Sequence, residues 1–227
     1  MKRSTLTAVG TLVMLASVGA HDPKRAVLVR ADFDPHGYAY SFAYQGHDYV
    51  GEPQHAHEIV ERNGSKVLRG SADFSALELF GEDAFSGRYF GFGVGTGAFV
   101  ADEKAATVES PRAYVLHFDI GFEGATGTFL DFMVTANFQT YDGEKNVEVI
   151  ELTADRPSYD LNAGGMQSFV VQLKNIERGN LDDLNAVLAA GELSNIDVSF
   201  LADGEKFGFD TDNAILIDNV VLVGPVQ

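Results

Sequence analysis

The sequence contains no cysteine and about half as many basic as acidic residues. The missing cysteines exclude disulfides, thiolate metal sites, cysteine nucleophiles and anchoring through a lipidated cysteine. With 16 Lys and Arg against 33 Asp and Glu, the formal net charge of −17 excludes electrostatic capture of nucleic acid or an anionic membrane as a default function. Stability therefore has to come from a packed core, which 45% hydrophobic residues with 17 Phe and 8 Tyr can build.

Long apolar runs are also missing beyond the first twenty residues. A basic pair, Lys2 and Arg3, precedes a short apolar run that ends in small residues, a pattern typical of a secretory signal peptide cleaved after Ala20. The apolar run is too short for a membrane span, which needs about 20 residues. We therefore expect residues 1–20 to be a signal peptide and residues 21–227 to form a single domain. The product is expected to be secreted or periplasmic in a bacterium, without membrane insertion.

Alternation of apolar and polar residues dominates the rest of the chain, which predicts strands. Residues 112–122 and 130–139 each place apolar side chains on one face and polar side chains on the other, and a short turn at 123–127 separates them. This pattern predicts an antiparallel hairpin with one apolar and one polar face. Further strands are expected at 26–33, 38–44, 65–74, 89–94, 147–152, 167–173, 196–200 and 215–223, with 45–57 as a surface loop.

A single segment has a helical pattern. Asn180 is a suitable cap, Asp182 and Asp183 fall in the first turn, and Gly191 ends the helix. About ten strands and one short helix predict an all-β fold, most simply a jelly-roll β-sandwich of two antiparallel sheets.

Three segments carry a resemblance to a known family. Val27–Asp34 and Ser65–Gly70 resemble the opening of galactose-binding-like jelly-roll modules, and Ile215–Leu222 is similar to their last strand. This superfamily includes the carbohydrate-binding modules that accompany cellulases and xylanases. The resemblance implies a sandwich fold, a carbohydrate ligand and a structural calcium near the first and last strands.

The calcium expectation also has a reason in the residues. Asp218 shares a strand face with Leu216, Val220 and Leu222, and an unpaired buried carboxylate is costly. A Ca²⁺ ion would remove that cost, with Asp32 and Asp34 as the expected further ligands. The alternative is a hydrogen-bonded Asp218 at a strand edge, without a metal.

The polar face of the predicted hairpin is the main candidate site. Its five-residue turn would place Asp119 opposite Asp131, and like charges across a strand pair are destabilising unless they serve a purpose. That purpose could be a cation, sugar hydroxyls, or a raised pKa suited to acid catalysis. The alternatives are a shifted register or an ordinary exposed face. His117, Asn137 and Gln139 share this face and offer donors and acceptors for a polysaccharide.

Two further patterns could bind ligands. Tyr38, Tyr40, Phe42 and Tyr44 alternate with small residues, so they could form an aromatic platform for sugar rings or they could be core. Their three hydroxyls indicate that at least the ends of this strand reach water. His55 and His57 would lie on one side of an extended segment, but the sequence offers no clear third ligand for zinc.

The sequence thus predicts an exported, non-catalytic module that binds a polysaccharide or glycoconjugate through Tyr40, Tyr44, His117, Asp119, Asp131, Asn137 and Gln139, with a structural Ca²⁺ on Asp32, Asp34 and Asp218. One alternative is a glycoside hydrolase or polysaccharide lyase that uses Asp119 and Asp131 as its acid and base. Another is a structural cell-surface protein that uses the same sandwich for protein contacts.

Overall fold

The computed structural model describes residues 24–31, 33, 38–45, 49–50, 54–75, 78–79, 88–96, 105–203 and 213–226. The expected signal peptide, 1–20, lies outside the described residues, and so do Asp32 and Asp34. No helix among the described residues has the length and apolar character needed to cross a bilayer.

Two antiparallel sheets form the body of the molecule, and we call them the back sheet and the front sheet. The back sheet consists of β1 (Arg25–Ala31), β4 (Gln54–Arg62), β5 (Ser65–Asp73), β8 (Val115–Glu123), β12 (Gln167–Gln172) and β15 (Ala214–Pro225). Its order is β12-β8-β15-β5-β4, with β1 also paired to β15.

The front sheet is the wider of the two. It consists of β2 (Tyr38–Gln45), β7 (Arg88–Thr96), β9 (Phe129–Tyr141), β10 (Asn146–Thr153), β11 (Ser158–Asp160), β13 (Asn175–Gly179) and β14 (Leu193–Asp203). Its strand order is β13-β10-β9-β14-β7-β2, and β11 is also paired with β9. Two short strands, β3 (Tyr49–Val50) and β6 (Glu78–Leu79), pair with each other.

The core lies between the two sheets and follows the period-two pattern. In β8, Leu116, Phe118 and Ile120 are buried, whereas His117 between them is exposed. The Phe118 ring contacts Phe132 and Phe200 of the front sheet at centroid distances of 5.9 and 4.8 Å. The predicted all-β sandwich of two antiparallel sheets is therefore confirmed, because strands of both sheets contribute alternate apolar side chains to one shared core.

The predicted α-helix is confirmed close to its expected bounds, and it is the one α-helix among the described residues. Helix α1 (Leu181–Ala190) begins after Asn180, whose side chain accepts a hydrogen bond from the Asp183 backbone amide at 2.9 Å. It ends at Gly191, which has a φ of +72° and is therefore in the left-handed conformation that glycine adopts at little cost. Leu184 and Leu188 are buried against the sandwich.

The predicted hairpin of 112–122 and 130–139 is wrong. β8 pairs with β12 and β15 in the back sheet, whereas β9 pairs with β10, β11 and β14 in the front sheet. The connection after Glu123 carries the chain across the core from one sheet to the other. Alternation alone does not distinguish these cases, because a hairpin and a crossing between sheets both direct one side of each strand to the same core.

The expected loop at 45–57 is wrong in part, since Gln45 ends β2, Tyr49–Val50 forms β3 and β4 begins at Gln54. β4 and β5 form a hairpin in which Arg62 pairs with Ser65 around the two-residue turn Asn63-Gly64. Both turn residues have positive φ, +52° and +81°, as a type I′ hairpin turn requires.

Candidate functional site

The residues of the predicted site are divided between the two outer faces of the sandwich. His117 and Asp119 lie on the outer face of the back sheet, because they alternate with buried core residues of β8. Asp131, Asn137 and Gln139 lie on the outer face of the front sheet for the same reason in β9. Asp119 and Asp131 therefore do not face each other, and the whole core separates them.

The actual cross-strand neighbour of Asp119 is another carboxylate, Asp218 of β15. The Asp119 carboxylate accepts hydrogen bonds from the Ser168 hydroxyl and from the Asn219 side-chain amide, the latter at 2.6 Å. Asp218 accepts from the Ser65 hydroxyl at 2.9 Å and from the Asn219 backbone amide at 2.8 Å. Each carboxylate thus has its own donors, which offset the repulsion between them.

The predicted face of Asp218 needs a correction. The register of β15 against β8 shifts between Asp218 and Val221, and Asn219 has a φ of +51°. This bulge changes the parity of the strand, so that Val220 and Leu222 face the core while Asp218 lies on the outer face. Asp218 is nevertheless only 6% exposed, as expected, and its hydrogen bonds match the metal-free alternative.

Asp32 and Asp34, the further calcium ligands expected from the sequence, lie outside the described residues. Within the described ranges, no three His, Asp or Glu side chains gather closely enough to hold a metal ion.

The outer face of the front sheet has a different character, because several of its polar side chains are buried. Thr135 is 3% exposed, Thr153 5%, Asn195 1% and Asp197 7%, although all four alternate with core residues of β9, β10 and β14. The register places them in adjacent cross-strand rows. The row Glu151, Asn137, Asp197 and Gly95 runs across β10, β9, β14 and β7, and the row Thr153, Thr135, Ser199 and Gly93 runs beside it.

Three of these residues form an amide–carboxylate network, which we define as Gln139, Asn195 and Asp197. The Asn195 amide nitrogen donates to Gln139 Oε1 at 2.9 Å and to Asp197 Oδ1 at 3.0 Å. The Gln139 amide nitrogen donates to Asp197 Oδ2 at 3.2 Å. The network fixes both amide groups, so their remaining polar atoms are held in place.

Two amide oxygens on this face have no hydrogen-bond partner among the described residues. Asn195 Oδ1 and Asn137 Oδ1 are shielded from solvent and accept no hydrogen bond from any residue that the structure describes. A buried acceptor without a donor costs about 1–3 kcal/mol, and native structures retain few of them. A ligand that brings hydroxyl or amide donors to this face would remove that cost.

In β7, the strand beside the polar rows, three successive outer positions are glycines: Gly91, Gly93 and Gly95. Tyr38, Tyr40 and Phe42 of β2 pair with Gly95, Gly93 and Gly91 of β7, respectively, while Tyr44 pairs with Tyr89. Ala39 and Ala43 pack against the core, so the alternating positions Tyr38, Tyr40, Phe42 and Tyr44 belong to the outer face. Of Tyr40 and Tyr44 themselves, only the backbone is described. The register thus places a track of three glycines between the positions of Tyr38, Tyr40 and Phe42 and the polar rows of β14 and β9.

Negative charge surrounds the front face. Burial and the neighbouring Glu148 carboxylate raise the pKa of Glu151, and the Arg178 guanidinium, 3.5 Å away, offsets this only in part. Asp131 adds another exposed carboxylate on β9. The face therefore favours neutral over anionic ligands.

Sequence reasoning missed Asn195, Asp197 and Ser199. Segment 196–200 was expected to be a strand, and its alternation already separates the polar Asp197 and Ser199 from apolar neighbours. Their importance depends on the pairing of β14 with β9, which the sequence pattern does not specify.

No protein-family model and no curated protein matches this sequence. Among solved structures, the chain is similar to a family 11 carbohydrate-binding module from Clostridium thermocellum in complex with a β-1,3-1,4-mixed-linked tetrasaccharide, at 13% identity and a TM-score of 0.43, covering 89% of this chain and 97% of that one. It is similar to a carbohydrate-binding module that recognises mannan, at 13% identity and a TM-score of 0.40, covering 89% and 99%. It is also similar to a family 30 carbohydrate-binding module, at 11% identity and a TM-score of 0.37, covering 92% and 91%. The expected resemblance to carbohydrate-binding modules is thus confirmed as a likeness of structure, which at these values carries no inference about the ligand of this chain.

Proposed function

We propose that the protein binds a neutral polysaccharide or glycan on the outer face of the front sheet. The observation that carries this proposal is the pair of shielded amide oxygens, Asn137 Oδ1 and Asn195 Oδ1, which have no donor among the described residues. Sugar hydroxyls supply donors at short, regular spacing. Ligand sites typically combine apolar surface with a few fixed polar groups. We propose that Tyr40 and Phe42, whose backbone positions pair with Gly93 and Gly91, supply the apolar part.

The charge of the site supports a neutral ligand. Glu148, Glu151 and Asp131 would repel a uronate or a sulfated chain, and desolvating these carboxylates against an anion would weaken binding further.

The activity is proposed to be binding without catalysis. The two carboxylates expected as acid and base, Asp119 and Asp131, lie on opposite outer faces. They cannot flank one glycosidic bond, which requires carboxyl groups within about 10 Å of each other.

Affinity gel electrophoresis on a panel of soluble polysaccharides tests the proposal. The panel contains neutral chains (β-glucan, mannan, xylan, galactan) and anionic chains (alginate, pectate). We expect retardation on at least one neutral chain, none on the anionic chains, and no new reducing ends. Asn137→Ala should reduce the retardation at least fivefold, whereas the matched back-sheet variant Gln172→Ala should not change it. The absence of retardation on every neutral chain would contradict the proposal and favour a protein-contact role.

We also propose a structural Ca²⁺ at Asp218, with Asp32 and Asp34 as further ligands. The support is the burial of Asp218 beside a second carboxylate, Asp119, because a dication stabilises such a pair. EDTA should lower the melting temperature and Ca²⁺ should restore it, since a ligand that binds only the folded state stabilises that state. An unchanged melting curve would rule the ion out.

The support for export is the basic pair and the short apolar run at residues 2–18. We propose that residues 1–20 are removed on secretion or transfer to the periplasm, which N-terminal sequencing of the exported protein would test.

A further inference from the structure

A serine and two histidines meet at one open edge of the sandwich. β2 is an edge strand of the front sheet and β4 is an edge strand of the back sheet. The Ser41 hydroxyl oxygen of β2 lies 2.9 Å from His55 Nδ1 and 3.1 Å from His57 Nδ1, both of β4. His55 and His57 are two residues apart on a strand, so both side chains lie on the same face and both Nδ1 atoms converge on one oxygen.

These distances are close to those between neighbouring ligands of a transition-metal ion. With bonds of about 2.0 Å, adjacent ligands are roughly 2.8 Å apart in a square-planar site and roughly 3.3 Å apart in a tetrahedral site. The two nitrogen–oxygen distances at Ser41 fall in this interval. Strand β4, which carries the two histidines, is held in place by its pairing with β5, in which His55 pairs with Ala72 and His57 with Gly70.

We propose that His55 and His57 bind one divalent transition-metal ion through their Nδ1 atoms, with the Ser41 hydroxyl and water as the remaining ligands. Imidazole nitrogen selects ions such as Cu²⁺ and Zn²⁺ over Ca²⁺ and Mg²⁺, which prefer oxygen. Both histidines are exposed, so water can reach the ion.

The ion would connect the edge strands of the two sheets. At present the two hydrogen-bond contacts of Ser41 join β2 to the histidines of β4 at this edge. A metal bound by β4 histidines and Ser41 would tie β2 more firmly to the back sheet. Because the ligands lie on the inner side of β2, the site is separate from the proposed glycan face and does not depend on it.

Titration of the full chain with CuCl₂ and, separately, ZnCl₂ by calorimetry tests the proposal. The chain has six histidines, so the result is read as a difference between variants. We expect His55→Ala and His57→Ala each to lower the affinity for one equivalent of metal at least tenfold. The double variant should no longer bind that equivalent. The matched control is His117→Ala, an exposed histidine on the outer face of the back sheet, which should leave metal binding unchanged.

Two further measurements distinguish a specific metal site from nonspecific binding of metal to histidines. The Cu²⁺ electron paramagnetic resonance spectrum should show coupling to two imidazole nitrogens that disappears in the double variant. Zn²⁺ should raise the melting temperature of the wild type but not of the double variant, and Ser41→Ala should reduce this rise. Metal-free melting curves of the variants establish that they fold. Equal metal binding by wild type and double variant would overturn the proposal, as would an equal loss in His117→Ala.

Discussion

The two outer faces of the sandwich have the same sequence pattern and different hydrogen bonding. On the back sheet, Asp119 and Asp218 each accept hydrogen bonds from nearby donors, and the Glu123 carboxylate forms ion pairs with Arg62 and Arg69. On the front sheet, polar side chains are more deeply buried and two amide oxygens have no donor in the described part of the chain.

This difference shows which face offers unsatisfied acceptors to a glycan. Among the described residues, Asp119 and Asp218 of the back face have donors within the protein, whereas Asn137 Oδ1 and Asn195 Oδ1 of the front face have none. Polarity alone does not mark a binding face, since both faces are polar. The distinguishing feature is an unsatisfied polar group that the fold prevents from relaxing.

The largest expected contrast is between the carboxylates of the two faces. Asp197→Ala removes the acceptor that orients both Gln139 and Asn195, so we expect glycan affinity to fall at least tenfold in affinity gels. Asp119→Ala should leave glycan affinity within twofold of wild type, because Asp119 is on the other face. Equal losses in the two variants would show that the faces do not differ in function.

The next contrast concerns stability and the bulge at Asn219. Asn219→Ala should lower the free energy of unfolding by about 2–3 kcal/mol, because it removes a donor to Asp119 and places alanine at positive φ. Asn219→Gly removes the same donor without the backbone strain, so its loss should be smaller by about 1 kcal/mol. Denaturant unfolding measures both. Wild-type stability in Asn219→Ala would contradict the claim that the back face is internally satisfied.

A smaller effect, of opposite sign, is expected on the front face. Asn137→Leu replaces an unsatisfied acceptor with an apolar side chain of similar size, so it should raise the free energy of unfolding by up to about 1 kcal/mol while weakening glycan binding. If Asn137→Leu instead destabilises the ligand-free protein, the Asn137 oxygen is already satisfied and the comparison fails.

The sandwich itself could be predicted from the sequence, but its pairing could not. The strands of 112–122 and 130–139 were expected with the correct buried faces, because alternation depends only on which side meets the core. The sheet to which each strand belongs depends on the path of the connection after Glu123. The alternation of apolar and polar residues contains no information about that path. The β4–β5 hairpin was missed although Asn63-Gly64 is a strong turn signal, because β4 is exposed along most of its length.

The candidate site could likewise be predicted only in part, because its assembly depends on strand pairing. Asn137 and Gln139 were identified because they lie on the polar side of one strand. Asn195 and Asp197 join them only through the pairing of β14 with β9, so finding them from sequence requires the register. The bulge at Asn219, which directs Asp218 outward, likewise arises from tertiary pairing.

The smallest expected effect is on pH dependence and involves Glu151. Its pKa is raised above the ordinary value of 4.5, first by burial and then by Glu148. The folded state therefore binds the proton more tightly than the unfolded state, and this contribution to stability is lost as pH rises from 4.5 through the raised pKa. Glu151→Gln should flatten the dependence of melting temperature on pH in this window, whereas Glu61→Gln on exposed β4 should not. Identical pH profiles for wild type and Glu151→Gln would contradict the raised pKa.

The most direct test of the account is to observe the side-chain amides of both faces in one NMR titration with a neutral polysaccharide that retards the protein. The account predicts shifts of the Asn137, Gln139 and Asn195 side-chain amide signals, with those of Asn219 and Gln172 unchanged. Shifts confined to Asn219 and Gln172 would place the ligand on the back sheet and contradict the assignment of the front face.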